Sequence, residues 1–240
     1  MTATAANPES FTKTYRLAMA LCAPLRWWSG MEVDGLEVLP RSGPVLLVGN
    51  HDSQSDPVII GMAARRRRQI RALAKSGLWQ IRGLGPLLNG MGQIPIERAA
   101  GDADALVNAI AALREGKCIG VFPEGTISVG RKLRARSGIG RLALEVPEAK
   151  IICAAHTGTP DFARFPTKPK VRVRFFEPAS GQADPGEDPA ALSQRLLDEI
   201  RAIAPQVEAG RDPAKTLAHY QEKAAKQEAR RQERAKQTAG

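Results

Sequence analysis

The chain is short of nearly everything that would advertise its chemistry. Cysteine occurs only as Cys22, Cys118 and Cys153 in 240 residues. The three fall at no metal-ligand spacing and cannot all pair with one another, so no zinc site or disulfide framework is expected, and a reducing compartment is the simpler setting. Aromatic residues are 5% of the total. No apolar run approaches the roughly 18 to 20 residues of a membrane span. The amino-terminal stretch lacks the order of basic region, apolar region and small-residue cleavage site, and Pro24 and Arg26 interrupt its apolar part; no signal peptide is expected. No GxSxG elbow surrounds Ser53 or Ser55, which argues against a serine nucleophile. Acidic residues are also in deficit, 25 Asp+Glu against 35 Lys+Arg, for a net charge of +10. That excess points to an anionic partner: nucleic acid, anionic lipid or phosphorylated small molecules.

What remains is a globular composition, 43% hydrophobic and 25% charged, which excludes disorder throughout. The length suits one α/β-sized domain with an appendage. Residues 15 to 29 read either as a helix packed on the domain or as a stretch lying in a membrane interface, with Trp27 and Trp28 at headgroup depth and Arg16 and Arg26 on phosphates; the two readings can hold for opposite faces. VLLVG, ending at Gly49, has the continuous apolar character of a buried parallel strand. Pro57 suits a first helical position with Asp56 as cap, giving a helix of about a dozen residues that ends in the Arg65 to Arg68 run. Ile70 to Lys75 and Gln93 to Ile96 read as strands, with a short glycine-flanked helix between them. DADALVNAIAALREG is a helix stopped by Gly116, followed by the strand KCIGVF. A helix over Ile139 to Glu145, the buried strand AKIICAAH, the alternating strand KVRVRFFEP and the amphipathic helix from Asp188 complete the pattern. Strands recurring between helices predict one α/β domain, with a central, mostly parallel or mixed sheet flanked by helices. From about Arg211 the chain turns to Ala, Gln, Lys, Arg and Glu, a solvated basic helix or tail.

Three segments could carry chemistry. In GNHDSQSDP, His51 and Asp56 are five residues apart, which on one helix would separate them by about 140°. With His51 in a loop and Asp56 at a helix start, the carboxylate can hold one ring nitrogen and leave the other as a general base, or the two can simply be polar residues that cap the loop. In VFPEGTIS, Glu124, Gly125 and Thr126 follow a strand and could orient a polyol phosphate, or simply form a turn. In GMGQIPIERA, Arg98 could grip a phosphate with its planar donor fork, or be solvated.

Taken together, the segments resemble the glycerolipid acyltransferase superfamily that includes bacterial 1-acylglycerol-3-phosphate acyltransferases. The block NHxSxxD corresponds to Asn50, His51, Ser53 and Asp56. The block FPEGTxS corresponds to Phe122, Pro123, Glu124, Gly125, Thr126 and Ser128, and the intervening block to Gly92, Ile96 and Arg98. Lys75 with Gly77 resembles the basic position between the first two blocks. The resemblance spans about residues 15 to 205. It departs from the pattern at Ile127, where Arg is usual, and around Cys153, where Pro is usual. His156 is read as a polar residue at a strand end.

The resemblance implies a glycerol-3-phosphate acyltransferase-like fold. It implies an O-acyltransferase that moves a fatty acyl group from acyl-CoA or acyl-carrier protein to the hydroxyl of 1-acylglycerol 3-phosphate, giving phosphatidic acid. Another lysophospholipid, glycerol 3-phosphate or a glycolipid is the alternative acceptor, and a non-catalytic lipid-binding relative the alternative role. His51 and Asp56 would be catalytic; Lys75, Arg98, Glu124, Gly125 and Thr126 would bind the acceptor and its phosphate. No metal or other cofactor is implied. Backbone donors near the Gly92 turn are candidates for holding the oxyanion, and Leu78, Trp79, Leu84, Leu87 and Leu88 for an acyl groove. The expected organisation is an amphipathic, membrane-associating segment at 1–30, an acyltransferase domain at 31–207 and a basic tail at 208–240. The enzyme is expected to be peripheral on the cytoplasmic face of the plasma membrane, contacting anionic lipid through Arg16, Arg26 and Arg65 to Arg68. No specific nucleic-acid partner is expected, since aromatics are sparse and no RNA- or DNA-binding module is recognisable.

Overall fold

The run at 45–49 is apolar at every position because the strand it forms is covered on both faces. The computed structural model describes residues 9–96, 103–162 and 168–206. In chain order the elements are α1 (Lys13–Leu21), α2 (Ala23–Trp28), β1 (Glu32–Asp34), β2 (Val45–Gly49), α3 (Asp56–Ala64), β3 (Ile70–Lys75), α4 (Leu84–Gly90), β4 (Ile94–Ile96), α5 (Ala103–Arg114), β5 (Cys118–Val121), α6 (Gly138–Glu145), β6 (Lys150–Thr157), β7 (Arg172–Phe176) and α7 (Pro189–Ile203), with short 3-10 turns between some of them. The strands form one sheet in the order β1-β7-β6-β2-β5-β3-β4. Five neighbours, β6 to β4, run parallel, and β7 is antiparallel to β6 and parallel to β1. This is the mixed, helix-flanked α/β sheet that the alternation of elements predicts.

Alternation along the strands assigns the two faces. Val45 and Leu47 of β2, with Ile152 and Ala154 of β6, join Tyr15, Met19, Ile59 and Met62 in one core cluster. Leu46 and Val48, with Ile151 and Cys153, join Leu113, Leu142, Leu192 and Ile200 in the other. So α1 and α3 cover one face, and α5, α6 and α7 the other. Helix α3 is buried nearly all round, from Ile59 to Ala64, as its uniformly apolar sequence requires. Helix α6 approaches α7 closely at Gly140, where a Cβ would lie 2.0 Å from the Pro189 carbonyl oxygen. The Gly140 N–H donates to Ser193 Oγ at 2.9 Å.

The parallel strands set the working end of the molecule. β2 is central, with β5 on one side and β6 on the other. The chain leaves β2 for α3 on one face, while α6, which joins β5 to β6, lies on the other. In open α/β sheets the crevice at the carboxyl ends of such strands, where connections diverge, is where ligands bind.

Several expectations change in detail. Helix α3 stops at Ala64, so the four arginines that follow do not form one patch. Arg68 is 1% exposed, donates to the carbonyls of Gly43 and Gly116 at 2.6 Å each, and pairs with Glu9 at 3.0 Å. Arg67 donates to the carbonyls of Leu39 and Glu37. Arg65 and Arg66 are left near Arg26, whose guanidinium is held below its usual range by burial and by those two charges. The tryptophans also part company. Trp28 packs edge-on against Phe162, whereas Trp27 is 84% exposed. Cys118 and Cys153 are free, fully buried thiols, each pushed up to about 12 by burial, which leaves them inert as nucleophiles. No helix among the described residues is long and apolar enough to cross a membrane. The basic tail at 208–240 lies outside the described residues.

Candidate active site

Residues 50–56 leave the carboxyl end of β2 and fold into a tight loop around one carboxylate. Asp56 Oδ2 accepts the backbone N–H groups of Asp52 at 2.7 Å and Ser53 at 2.8 Å, and pairs with His51 Nδ1 at 2.9 Å. Asp56 is therefore not the cap of α3; Ser55 holds that position. Its side chain turns back to the preceding loop, because that is where unsatisfied N–H donors lie. Asp56 is fully buried. Burial alone would raise its carboxyl, but His156 and His51 outweigh that and hold it well below the usual carboxylate range. Its contribution to stability is thus complete above that range and is lost only as the pH falls through the depressed value.

With Nδ1 committed to Asp56, Nε2 of His51 is the ring nitrogen left for a substrate. The His51 side chain is 15% exposed and stacks on Phe122, with centroids 4.4 Å apart and planes 15° apart. The His51 N–H donates to Glu124 Oε2 at 2.7 Å, and its carbonyl accepts the Ser128 N–H at 2.7 Å. The loop after β5 therefore grips the loop after β2 through its backbone.

A buried charge cluster braces both loops. Arg201, from α7, donates through Nη1 and Nη2 to Asp52 at 2.9 Å each, and through Nη2 to both oxygens of Glu124 at 2.6 Å. Ser128 Oγ donates to Asp52 Oδ1. Burial alone would lower the Arg201 guanidinium, but Asp52 and Glu124 outweigh it and hold it above its usual range. Burial pushes the Glu124 carboxyl up against the pull of Arg201. Asn50, fully buried, accepts the His156 N–H and donates to the His156 carbonyl, both at 2.9 Å. Its side-chain amide extends the β2–β6 ladder where the backbone has already turned away.

Sequence reasoning named several of these residues, and the structure brings His51, Asp56, Glu124, Gly125 and Thr126 to the same end of the sheet. Glu124 is 3% exposed and spends its carboxylate on Arg201 and His51. Gly125 turns at φ +66°, and a Cβ there would meet Arg136 Nε at 2.4 Å; Thr126 is exposed. Lys75 is exposed at the end of β3. Ala72 and Leu47 both pair with Gly120, so Lys75 is level with Asn50, two strand spacings or about 10 Å away. Arg98 lies outside the described residues. The Gly92 turn is at the other end of the sheet, against Arg71, with its N–H donated to Asn89 O at 2.8 Å; it is too far from His51 to hold an oxyanion there. The apolar residues expected to form a groove make a shelf around α4, with Leu78 and Leu87 exposed at 37% and 40%.

Three functional candidates escaped the sequence reading: Asp52, Arg201 and His156. His156 does lie near the end of β6, but it is 1% exposed, with Nε2 3.2 Å from Asp56 Oδ1. Among the described residues no group of three or more His, Cys, Asp and Glu is placed to hold a metal ion.

The family model described as Acyltransferase matches residues 30–160. A 1-acyl-sn-glycerol-3-phosphate acyltransferase of Borreliella burgdorferi is 34% identical over 135 residues, covering 54% of this chain and 53% of its own; the chain thus spans about half the length of that relative. One from Bacillus subtilis is 26% identical over 191 residues, covering 78% of this chain and 94% of its own. The crystal structure of the 1-acyl-sn-glycerophosphate (LPA) acyltransferase PlsC from Thermotoga maritima superposes with a TM-score of 0.61 at 22% identity, over 83% of this chain and 81% of that one. This last likeness is one of fold.

Proposed function

Because the chain belongs to the acyltransferase family, we propose that it transfers a fatty acyl group from an acyl thioester, on coenzyme A or acyl-carrier protein, to the free hydroxyl of 1-acylglycerol 3-phosphate, giving phosphatidic acid for phospholipid biosynthesis. The observation that carries this reading is the His51–Asp56 pair at the open end of the parallel strands. The names of the two curated relatives support the acceptor. His51 Nε2 takes the proton of the acceptor hydroxyl as its oxygen attacks the thioester carbonyl carbon. The carbon–sulfur bond breaks as the tetrahedral intermediate collapses, and the proton passes from His51 to the departing thiolate. No acyl-enzyme forms. Asp56 orients the ring and stabilises its charged form. Glu124 shapes the acceptor site through the loops it holds, Gly125 and Thr126 line it, and Lys75 and Arg98 bind the phosphate. Residues 31–207 carry this chemistry, and 208–240 are a basic appendage.

The acceptor is a membrane lipid, and α1 and α2 suit a peripheral attachment to the cytoplasmic face of the plasma membrane. Tyr15 and Met19 face the core, while Leu17, Leu21 and Trp27 are exposed at 62%, 72% and 84%, beside the Arg26, Arg65 and Arg66 charges. Such a surface inserts apolar side chains at headgroup depth and places cations on anionic phosphates. Replacing Trp27, Arg26, Arg65 and Arg66 together by alanine is expected to abolish flotation with phosphatidylglycerol vesicles at low salt; undiminished flotation would refute the attachment.

The reaction is tested by offering the purified protein both thioester donors and a panel of acceptors: 1-acylglycerol 3-phosphate, glycerol 3-phosphate, a choline lysophospholipid and a glycolipid. The highest kcat/KM is expected with 1-acylglycerol 3-phosphate. Transfer confined to an acceptor without a phosphomonoester would overturn the acceptor assignment and, with it, the roles of Lys75 and Arg98.

A further inference from the structure

Asp56 has two oxygens, and the proposed chemistry uses one of them. Oδ2 serves the amides of Asp52 and Ser53 and the His51 ring. Oδ1 faces His156 Nε2 at 3.2 Å, and neither atom has a hydrogen-bonded partner among the described residues. Both side chains are completely out of water. The placement is fixed by the fold. On β6, Ile152 and Ala154 point to the face covered by α3, and His156, two residues further along, follows them to the start of α3, where Asp56 lies. Asn50 clamps the His156 backbone from both sides. Both ring nitrogens of His156 are buried without a hydrogen-bonded partner among the described residues, and such an imidazole is costly to keep unless the carboxylate it faces uses it.

We propose that His156 is a positioning residue for the transfer reaction: it donates Nε2–H to Asp56 Oδ1, so that one carboxylate is held between two histidines and presents Oδ2 to His51. The inference rests on the acyl-transfer reading and extends it to a residue that never touches substrate. Its consequence is geometric: the donor stops the carboxylate from rotating away from His51 Nδ1. The other charged groups around His156 do not compete for it. From the loop after β2 these are His51 and Asp52, from the loop after β5 Glu124, and from α7 Arg201; Asp52 and Glu124 are both paired with Arg201. β7 presents the apolar Val173 opposite His156, and Phe122 presents its ring at 6.5 Å.

The sequence contains three histidines, so ring-labelled histidine gives a readable nitrogen spectrum, assigned with His51→Gln and His156→Gln. In the unaltered protein His156 is expected as the Nε2–H tautomer; the Nδ1–H tautomer would overturn the proposal with no assay of activity. His156→Phe keeps the volume and removes the donor. It is expected to shift the His51 Nδ1 resonance, which reports the hydrogen bond to Asp56, and to lower kcat about ten- to a hundredfold with KM unchanged. His156→Gln restores an N–H donor and is expected to recover most of kcat. An unmoved His51 Nδ1 resonance in His156→Phe would refute the positioning role. If the unaltered protein transfers no acyl group, the proposed function fails, while the tautomer and the His51 Nδ1 resonance still decide the place of His156.

Discussion

His51→Ala is expected to lower acyl transfer about a hundred- to ten-thousandfold, the range over which a positioned general base contributes, while leaving the fold in place. The side chain is not a core residue: it is 15% exposed, and its main packing partner is the face of Phe122. Asp56 keeps two backbone donors on Oδ2 when the ring is gone, and the His51 N–H and carbonyl contacts to Glu124 and Ser128 do not need the side chain. The loss should therefore fall on kcat rather than on the melting temperature. Transfer by His51→Ala at the unaltered rate would remove the base from the mechanism. The pH profile offers an independent check. Asp56 stays ionised well below the usual carboxylate range, so any loss of activity in mild acid should not follow the titration of an ordinary carboxyl.

Arg201→Met is expected to destabilise the protein by about 3–5 kcal/mol, the usual result of removing one partner from a buried ionic cluster. The methionine fills much of the space but leaves Asp52 and Glu124, 8% and 3% exposed, as neighbouring carboxylates with no cation. Both must then take up protons or water. The test is chemical denaturation of Arg201→Met alone and combined with Asp52→Asn. The double variant should recover part of the loss, because one of the stranded charges is gone. A loss below about 1 kcal/mol in the single variant would mean that the cluster is solvated and does not brace the loops. Transfer activity should fall as well, since Glu124 holds the His51 backbone.

Much of this site was legible in the sequence, and what was missed has a common cause. The His51–Asp56 spacing across a strand-to-helix turn reveals a pair because both residues lie in one short segment, His51 in the loop and Asp56 at the start of α3. The apolar runs reveal β2 and β6 because both faces of those strands are covered. The partners that complete the site come from far along the chain. Arg201 meets Asp52 across 149 residues, and local pattern has nothing to say about that. A signal was nevertheless present: Arg201 continues the buried row Ser193, Leu197 at a spacing of four on α7, where a lone arginine needs buried carboxylates. His156 had one too. Once Ile152 and Ala154 are assigned to the α3 side, strand alternation puts the imidazole beside the start of that helix. The arginine run misled for the opposite reason. Four adjacent residues read as one patch, but the chain turns after Ala64 and carries Arg67 and Arg68 to backbone carbonyls.

Arg201 also orders events during synthesis. The strands and loops that hold Asp52, Asp56 and Glu124 leave the ribosome before α7 does, so the two carboxylates of the cluster wait in solvent for a cation that emerges among the last described elements. Closing so long a loop is slow compared with forming neighbouring helices, and domains generally fold as units once their chain is available. The loops around His51 are thus expected to gain their Arg201 brace only when α7 docks. Acquisition of activity by a refolding or nascent chain would report the last step of assembly rather than the first.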